Sequence, residues 1–369
     1  MRWLQNGQNN AILDIIMSKE NLTVHNFVRR FREERGWSQQ DLAERAGLSR
    51  TGISGIEAGR LIPSTAAALA LAAIFGCRVE DLFVLTGNEA AQWAWPPPGK
   101  TCRYWRAIIG ARHWLYPVEV SPLGTVPHDG VWRDGKCNDH EFADPVRTLV
   151  VACCDPAVAV LAAEYARQTP FRMLVLPRSS RAALELLAAG LVHAAGVHLA
   201  DADSKAGNRD AVAQTVQNPF QLLRIADWDE GLALAPGLAT TAIETLIESK
   251  LQWIGREPGS GARRVLDEIT QNRISLSHLA RDHRGVAQAI RHGFAQAGVS
   301  LRLVCEEEGV DFLSVCSEAY DFCILQSSVD DPRIRGLVDV IQSTVYRNLI
   351  GELPGYDNRR TGEMESTDG

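Results

Sequence analysis

Three stretches of this 369-residue chain gather side chains able to do chemistry. In Leu42-Ala43-Glu44-Arg45-Ala46-Gly47-Leu48-Ser49-Arg50-Thr51-Gly52-Ile53, the small Ala43 lets two helices approach, Gly47 permits a tight turn, and Leu48 and Ile53 anchor the helix that follows. That is the geometry of a helix-turn-helix, whose second helix is free to enter a DNA major groove. The second stretch is a pair of turns, Cys154-Asp155-Pro156 and Pro177-Arg178-Ser179-Ser180, each lying between an apolar strand-like run and a helical one. Such turns place backbone N–H groups at the carboxyl edge of a parallel sheet, where open α/β sheets bind ligands and helix N-termini favour anions. The third is Gly255-Arg256-Glu257-Pro258-Gly259-Ser260-Gly261-Ala262-Arg263. Gly259 and Gly261 let the chain wrap closely around a ligand, with N–H groups and the Ser260 hydroxyl as donors. Arg256 and Arg263 are either ligand clamps or surface charges.

Other chemistry finds less support. Cys137, His140, Glu141 and Cys153 match no standard zinc spacing, so no metal and no cofactor is expected. No motif sets a histidine and an acid beside Cys153, Cys154 or Ser260, so the chain does not read as an enzyme.

Composition narrows the classes further. With 46% hydrophobic and 22% charged residues, the chain can fill the cores of two or three domains, which excludes disorder as its main state. A net charge of −7 excludes a uniformly basic nucleic-acid coat, but residues 22–62 carry seven arginines against five acids, a local basic balance. Apolar runs at 66–75 and 149–154 fall far short of the ~20 residues of a membrane span, so no membrane partner is expected. Eight cysteines without a CxxC pair suit reduced thiols and a cytoplasmic location.

The elements that must position these residues follow from pattern. Residues 1–21 form an N-terminal extension in which Met17 offers an alternative start, and residues 22–86 read as five short helices. Ser38, Ser49 and Ser64 stand at N-caps, and Gly36, Gly47 and Gly59 at helix stops. A linker is expected over 87–99 and a small β-rich module over 100–145, because Tyr104, Trp105, Trp114, Tyr116 and Trp132 alternate with turn signals. From 146 to 357 strand-like and amphipathic helical runs alternate, as in a two-lobed α/β domain. Strands are predicted at 194–199, 251–254, 301–305, 311–315 and 320–325, helices at 285–297 and 332–350, and a loose polar tail over 358–369.

The N-terminal residues resemble the phage-repressor-like (Cro/C1, xenobiotic-response-element) helix-turn-helix family, down to Ile56-Glu57-Ala58-Gly59-Arg60 and the Leu82-Phe83 ending. The resemblance implies that Gln39 grips a phosphate and that Arg50, Thr51, Ser54 and Gly55 face base edges, Arg50 being the strongest candidate for a guanine contact. Ser49 and Arg60 belong to the same implied DNA-binding set. The resemblance also pairs a buried Glu57 with Arg32. Residues 146–357 resemble the type II periplasmic-binding-protein fold. More narrowly, they resemble the cytoplasmic molybdate- or molybdopterin-related domain fused to helix-turn-helix regulators. The matching residues include Cys154-Asp155-Pro156-Ala157, Ser180-Arg181-Ala182-Ala183-Leu184, Gly196-Val197-His198-Leu199, the Arg256–Arg263 string, Tyr320-Asp321 and Pro354-Gly355-Tyr356-Asp357. The pattern is broken at Ser277-His278-Leu279-Ala280-Arg281-Asp282-His283-Arg284, where charges follow the Ser-His pair.

By position, Asp155, Ser179, Ser180, His198, Gly259, Ser260, Gly261, Arg263, Ser277 and Tyr320 are the expected cleft residues. The expectation is a multidomain, homodimeric one-component regulator. Its partners would be duplex operator DNA and a small effector, a molybdate- or tungstate-like oxyanion ahead of an organic metabolite. A cytoplasmic storage protein is the competing reading.

Overall fold

The computed structural model describes residues 23–33, 35–86, 91–140, 143–200, 207–238 and 242–366. The expected extension at 1–21, Met17 and Glu141 lie outside them. The chain divides into two compact units, residues 1–91 and 92–369.

Among the described residues the first unit holds five helices: α1 (Val28–Glu33), α2 (Gln39–Ala46), α3 (Arg50–Glu57), α4 (Thr65–Phe75) and α5 (Val79–Leu82). Local chemistry sets their ends. Ser38 and Asp41 make a reciprocal capping box on α2, and Gly47 closes it in the left-handed conformation at φ 62°. Ser49 and Ser64 cap α3 and α4 by accepting the N–H groups of Gly52 and Ala67. Val28, Leu42, Ala43, Ile53, Ile56, Leu71 and Phe75 form the core, with Leu48 packed at its edge. One element departs from the all-helical expectation. β1 (Thr23–Asn26) pairs antiparallel with β2 (Phe83–Thr86), tying the two ends of the unit together.

The second unit begins with a five-stranded sheet in the order β3-β5-β4-β6-β7. Its strands are β3 (Gln92–Trp93), β4 (Thr101–Ile109), β5 (Arg112–Pro117), β6 (Gly130–Arg133) and β7 (Lys136–Asp139). Because β3 pairs with β5, the expected linker at 87–99 is sheet at 92–93, and Trp95 packs edge-on against Tyr116. Nor is this sheet a separate domain. Trp105, Ala107, Trp114 and Tyr116 share one buried cluster with Val150, Leu174, Leu176, Leu184 and Leu187. Arg333 reinforces the seam by donating to the carbonyls of Ile108 and Thr148.

The α/β part is a ten-stranded sheet in the order β13-β12-β14-β11-β15-β10-β8-β9. One parallel half contains β8 (Thr148–Cys153), β9 (Arg172–Pro177) and β10 (Ala194–Val197), with α6 (Val158–Gln168) and α7 (Ser180–Ala188). A short α8 (Arg209–Ala213) precedes β11 (Phe220–Leu234), and α9 (Ile243–Glu248) follows it. The other parallel half contains β12 (Trp253–Gly255), α10 (Gly261–Thr270), β13 (Leu276–Leu279), α11 (His283–Arg291), β14 (Ala297–Leu301) and α12 (Arg302–Glu308). β11 and β15 (Asp311–Leu325), 15 residues each, run antiparallel through both halves, with register shifts at Arg224/Ala226 and Glu230/Gly231. These two long strands make the domain two-lobed.

Four predicted elements change. The strand expected at 301–305 is helix α12, closed by left-handed Gly309; the helix expected over 285–297 ends at Arg291, and the strand occupies Ala297–Leu301. The two strands expected at 311–315 and 320–325 are one, β15. The closing helix expected at 332–350 is two, α13 (Pro332–Gln342) and α14 (Thr344–Gly351), because Ser343 is extended and caps the second. Within the tail expected to be loose over 358–369, β17 (Met364–Ser366) pairs with β11, and β16 (Tyr356–Asp357), just before it, pairs with β11 too. Thr361 is buried and donates to the Ile225 carbonyl at 2.7 Å, so polar side chains on the tail conceal a backbone that completes the sheet. No helix among the described residues is long and apolar enough to cross a membrane.

Candidate functional site

In the first unit the surface of interest is α3. Arg50 and Thr51 are exposed at its start, Ser49 holds the turn and Arg60 is exposed beyond its end. The buried Arg32–Glu57 pair is two-pronged, at 2.6 and 3.1 Å, and Arg32 also donates to the Trp37 carbonyl. Removing one partner of such a pair strands the other charge, at a cost of about 3–5 kcal/mol. Two residues expected at the DNA already have partners within the unit. Gln39 gives its amide N–H to Glu57 at 2.8 Å and so joins the buried pair instead of reaching outward. Gly55 lies under the following loop: its carbonyl accepts from Arg60 and Leu61, and an added Cβ would come within 3.2 Å of the Leu61 Cβ. Ser54 is half-buried.

In the second unit a cavity of about 360 Å³ opens between the lobes. Cys154, Asp155, Pro156 and Arg178 line it from the first lobe, and Arg256, Arg281, Asp282, His283 and Arg284 from the second. Val120, Ser121, Pro122 and Gly124 of the β-rich sheet's loop supply a third wall. The charged segment that broke the family resemblance thus forms one side of the cavity.

Asp155 behaves partly as expected. It accepts the Ala157 N–H at 2.8 Å and the Tyr356 hydroxyl at 2.7 Å, and burial pushes its carboxyl up to about 6. The serines are committed elsewhere. Ser260 donates to the Glu257 carbonyl and caps α10 by accepting the Arg263 N–H. Ser180 accepts the His198 N–H. Ser277 is exposed and donates to Trp253 on its neighbouring strand. Arg263 is spent on Asp267 one helical turn away, at 2.8 and 2.9 Å. Tyr320 is core, stacked on Trp228 with ring centroids 4.3 Å apart.

The two glycines press one lobe against the other instead of wrapping a ligand. A Cβ at Gly261 would fall 2.4 Å from His198, and one at Gly259, where φ is +90°, 3.0 Å from Arg181. Arg256 is buried and lines the cavity. Two of its nitrogens hold Glu257, while Nη1 is buried at the cavity wall without a hydrogen-bond partner among the described residues.

Beneath the cavity lies a buried polar cluster that sequence reasoning missed apart from His198. His198 Nε2 is 3.1 Å from Cys154 Sγ, and Nδ1 is 2.7 Å from Glu318. Glu230 sits between the two histidines, 3.7 Å from His198 Nδ1 and 3.9 Å from His283 Nδ1. Arg264 pairs with Glu318 from α10. Burial opposes charge on Glu318, but Glu230, His198 and Arg264 hold its carboxyl down at about 2. Burial, then the Glu318 charge, pushes Glu230 well above the carboxylate range. Burial also opposes charge on His198, which Cys154 and Glu318 overcome, raising its imidazole well above the ordinary value. His283 goes the other way: burial, then Arg256 and His198, keep it neutral.

The chain could have signalled these acids in one way. Glu230 and Glu318 fall mid-run in long strands otherwise rich in inward apolar residues, where an acid must be paired. Of the cysteines set aside as metal ligands in the sequence, Cys137 is exposed on β7 and Cys153 is buried on β8.

Comparison with known proteins bears on both units. Residues 28–82 match the helix-turn-helix family, and residues 162–342 match a PBP superfamily domain. An uncharacterised HTH-type transcriptional regulator of Archaeoglobus fulgidus is 37% identical over 62 residues, 17% of this chain and 89% of that protein. The uncharacterised protein YvgK of Bacillus subtilis is 25% identical over 178 residues, 46% of this chain, which spans 57% of YvgK's length. Among solved structures, the tungstate ABC transporter of Geobacter sulfurreducens is similar with a TM-score of 0.44 and 13% identity, over 55% of this chain and 97% of that one.

Proposed function

Because the chain belongs to the helix-turn-helix family over residues 28–82 and carries a PBP superfamily domain over residues 162–342, we propose that it is a one-component transcriptional regulator. Its first unit reads duplex operator DNA through α3, with Arg50 and Thr51 at base edges and Arg60 at the backbone. Its second unit senses a small anion between the lobes. As in other helix-turn-helix proteins, a homodimer reads two half-sites about one helical turn apart, in the cytoplasm and without catalysis. Effector and operator are linked only if the anion binds one arrangement of the protein better than another.

One observation carries the anion reading: Arg256 lines the cavity, and its buried guanidinium keeps Nη1 without a hydrogen-bond partner among the described residues. A buried donor of that kind favours a charge-bearing acceptor. Molybdate and tungstate are the first ligands to test. A small organic acid is the second reading, supported by a cavity of about 360 Å³ and by serine hydroxyls already committed within the protein. Small-molecule sites begin at roughly 300 Å³.

A thermal-shift screen over molybdate, tungstate, sulfate, phosphate and small carboxylic acids, followed by footprinting on the DNA upstream of the gene, tests the proposal. A shift that Arg256→Gln abolishes, with protected duplex, is the expected result. Anion binding without protected DNA would indicate a binding or storage protein. No shift with any anion would overturn the anion reading.

A further inference from the structure

We propose that Cys154, His198 and His283 form a centre for a divalent first-row transition metal of the zinc class, with its fourth position open to the interlobe cavity. The donors come from three separated elements: the turn after β8, the residue after β10 and the first residue of α11. Their ligand atoms all lie within 4.8 Å of one another, and Cys154 Sγ and His198 Nε2 are 3.1 Å apart. In a tetrahedral site with Zn–S near 2.3 Å and Zn–N near 2.0–2.1 Å, donors stand about 3.3–3.6 Å apart. Shifts of about an ångström or less reach that geometry.

Two further features set this cluster apart from an ordinary buried thiol–imidazole contact. His283 is fully buried, and among the described residues neither of its ring nitrogens has a hydrogen-bond partner. An orphaned buried imidazole is costly unless something else ligates it. The second feature lies behind His198. Its Nδ1 faces Glu318, which is itself held by Arg264, so Nε2 is directed at Cys154. A carboxylate on the far nitrogen is how proteins fix the tautomer and orientation of a metal-ligating histidine. One thiolate and two imidazoles suit zinc and its neighbours, not the hard cations magnesium or calcium. Cys154 and His283 both reach the cavity wall, as does Arg256, so an anion there could ligate the metal and meet the guanidinium together.

The metal centre does not depend on the regulator reading, and it is tested on the full-length protein stripped with a chelator and kept reduced. Cobalt(II) is titrated in and the spectrum followed. One equivalent should bind, with a thiolate-to-cobalt charge-transfer band and the strong visible bands of a tetrahedral ion. Cys154→Ser should lose the charge-transfer band, while Cys137→Ser, at an exposed thiol on β7, should keep it. Glu318→Gln should weaken uptake by about 10–100-fold. Without any substitution, zinc should protect Cys154 from alkylation, read by peptide mass spectrometry. Absence of stoichiometric uptake, a spectrum unchanged in Cys154→Ser, or equal alkylation of Cys154 with and without zinc would overturn the centre and leave a metal-free thiol–imidazole pair. Cobalt uptake in a protein that no anion stabilises would support the centre while removing the anion reading.

Discussion

The helix-turn-helix unit and the interlobe cavity are built over very different distances along the chain. In the first unit Ser38 meets Asp41, Ser49 meets Gly52, and even the buried Arg32–Glu57 pair spans only 25 residues. Under the cavity, Cys154 meets His198 over 44 residues, His198 meets Glu318 over 120, and Asp155 meets Tyr356 over 201. Short-range partners let one segment specify its own shape. Long-range partners acquire their roles only once two lobes and two long strands are in place. The first unit should therefore fail locally when a partner is lost, and the cavity should fail through its lobes.

The largest effect expected is at the first unit's buried pair. Arg32→Ala leaves Glu57, with its side chain 3% exposed, without its main counter-charge. Chemical unfolding should show a loss of about 3–5 kcal/mol in that unit. A loss under 1 kcal/mol would mean that Gln39 alone satisfies Glu57. Next comes Arg50→Ala, for which operator affinity should fall by about 1–3 kcal/mol with stability unchanged, since Arg50 is exposed. Equal loss on unrelated duplex would show that Arg50 touches phosphate instead of a base.

The cavity counterpart is Gly261→Ala. The added methyl would lie 2.4 Å from His198, so the lobes must part or shift. Overpacking of this kind costs about 1–3 kcal/mol, and here anion binding and cobalt uptake should weaken with stability. Loss of stability with ligand binding intact would separate lobe packing from the site.

The last effect is a pH dependence at the seam between the β-rich sheet and the first lobe. His193 accepts the Val150 N–H at 2.9 Å and faces the Ile108 carbonyl at 3.1 Å. Burial, aided by Arg333, holds its imidazole down at about 3. In the unfolded chain it titrates near 6.5. Stability from the neutral ring is therefore complete above pH 6.5 and is lost as pH falls towards 3, by up to about 1.4 kcal/mol per unit. His193→Gln should flatten this slope between pH 6.5 and 5 in unfolding measurements. An unchanged slope would assign it to other groups.

The same contrast in chain distance explains what could be read beforehand. Ser38, Gly47, Ser49 and Ser64 announce helix ends because caps act within three or four residues, and the helix-turn-helix follows from them. In the α/β part the turns at Cys154 and Ser179 were legible for the same reason, and His198 through the family resemblance of Gly196-Val197-His198-Leu199. The roles of Ser260, Gly259 and Gly261 were not. A cap beside two glycines looks the same in sequence whether it faces a ligand or the opposite lobe. Glu230, Glu318 and His283 are ordinary residues until β11, β15 and α11 converge. At the C-terminus, the polar residues around Thr361 hid a strand because its partner β11 lies more than a hundred residues earlier.

The central claim is that occupancy of the cavity is felt by the DNA-reading unit. It is tested most directly by measuring operator-duplex affinity of the full-length protein with and without saturating molybdate, or whichever screened anion stabilises it, and the anion's affinity with and without duplex. The account predicts a change in duplex affinity and an equal factor in the reciprocal titration, because linkage is symmetric. Tight binding of both ligands with neither affinity altered by the other would contradict it.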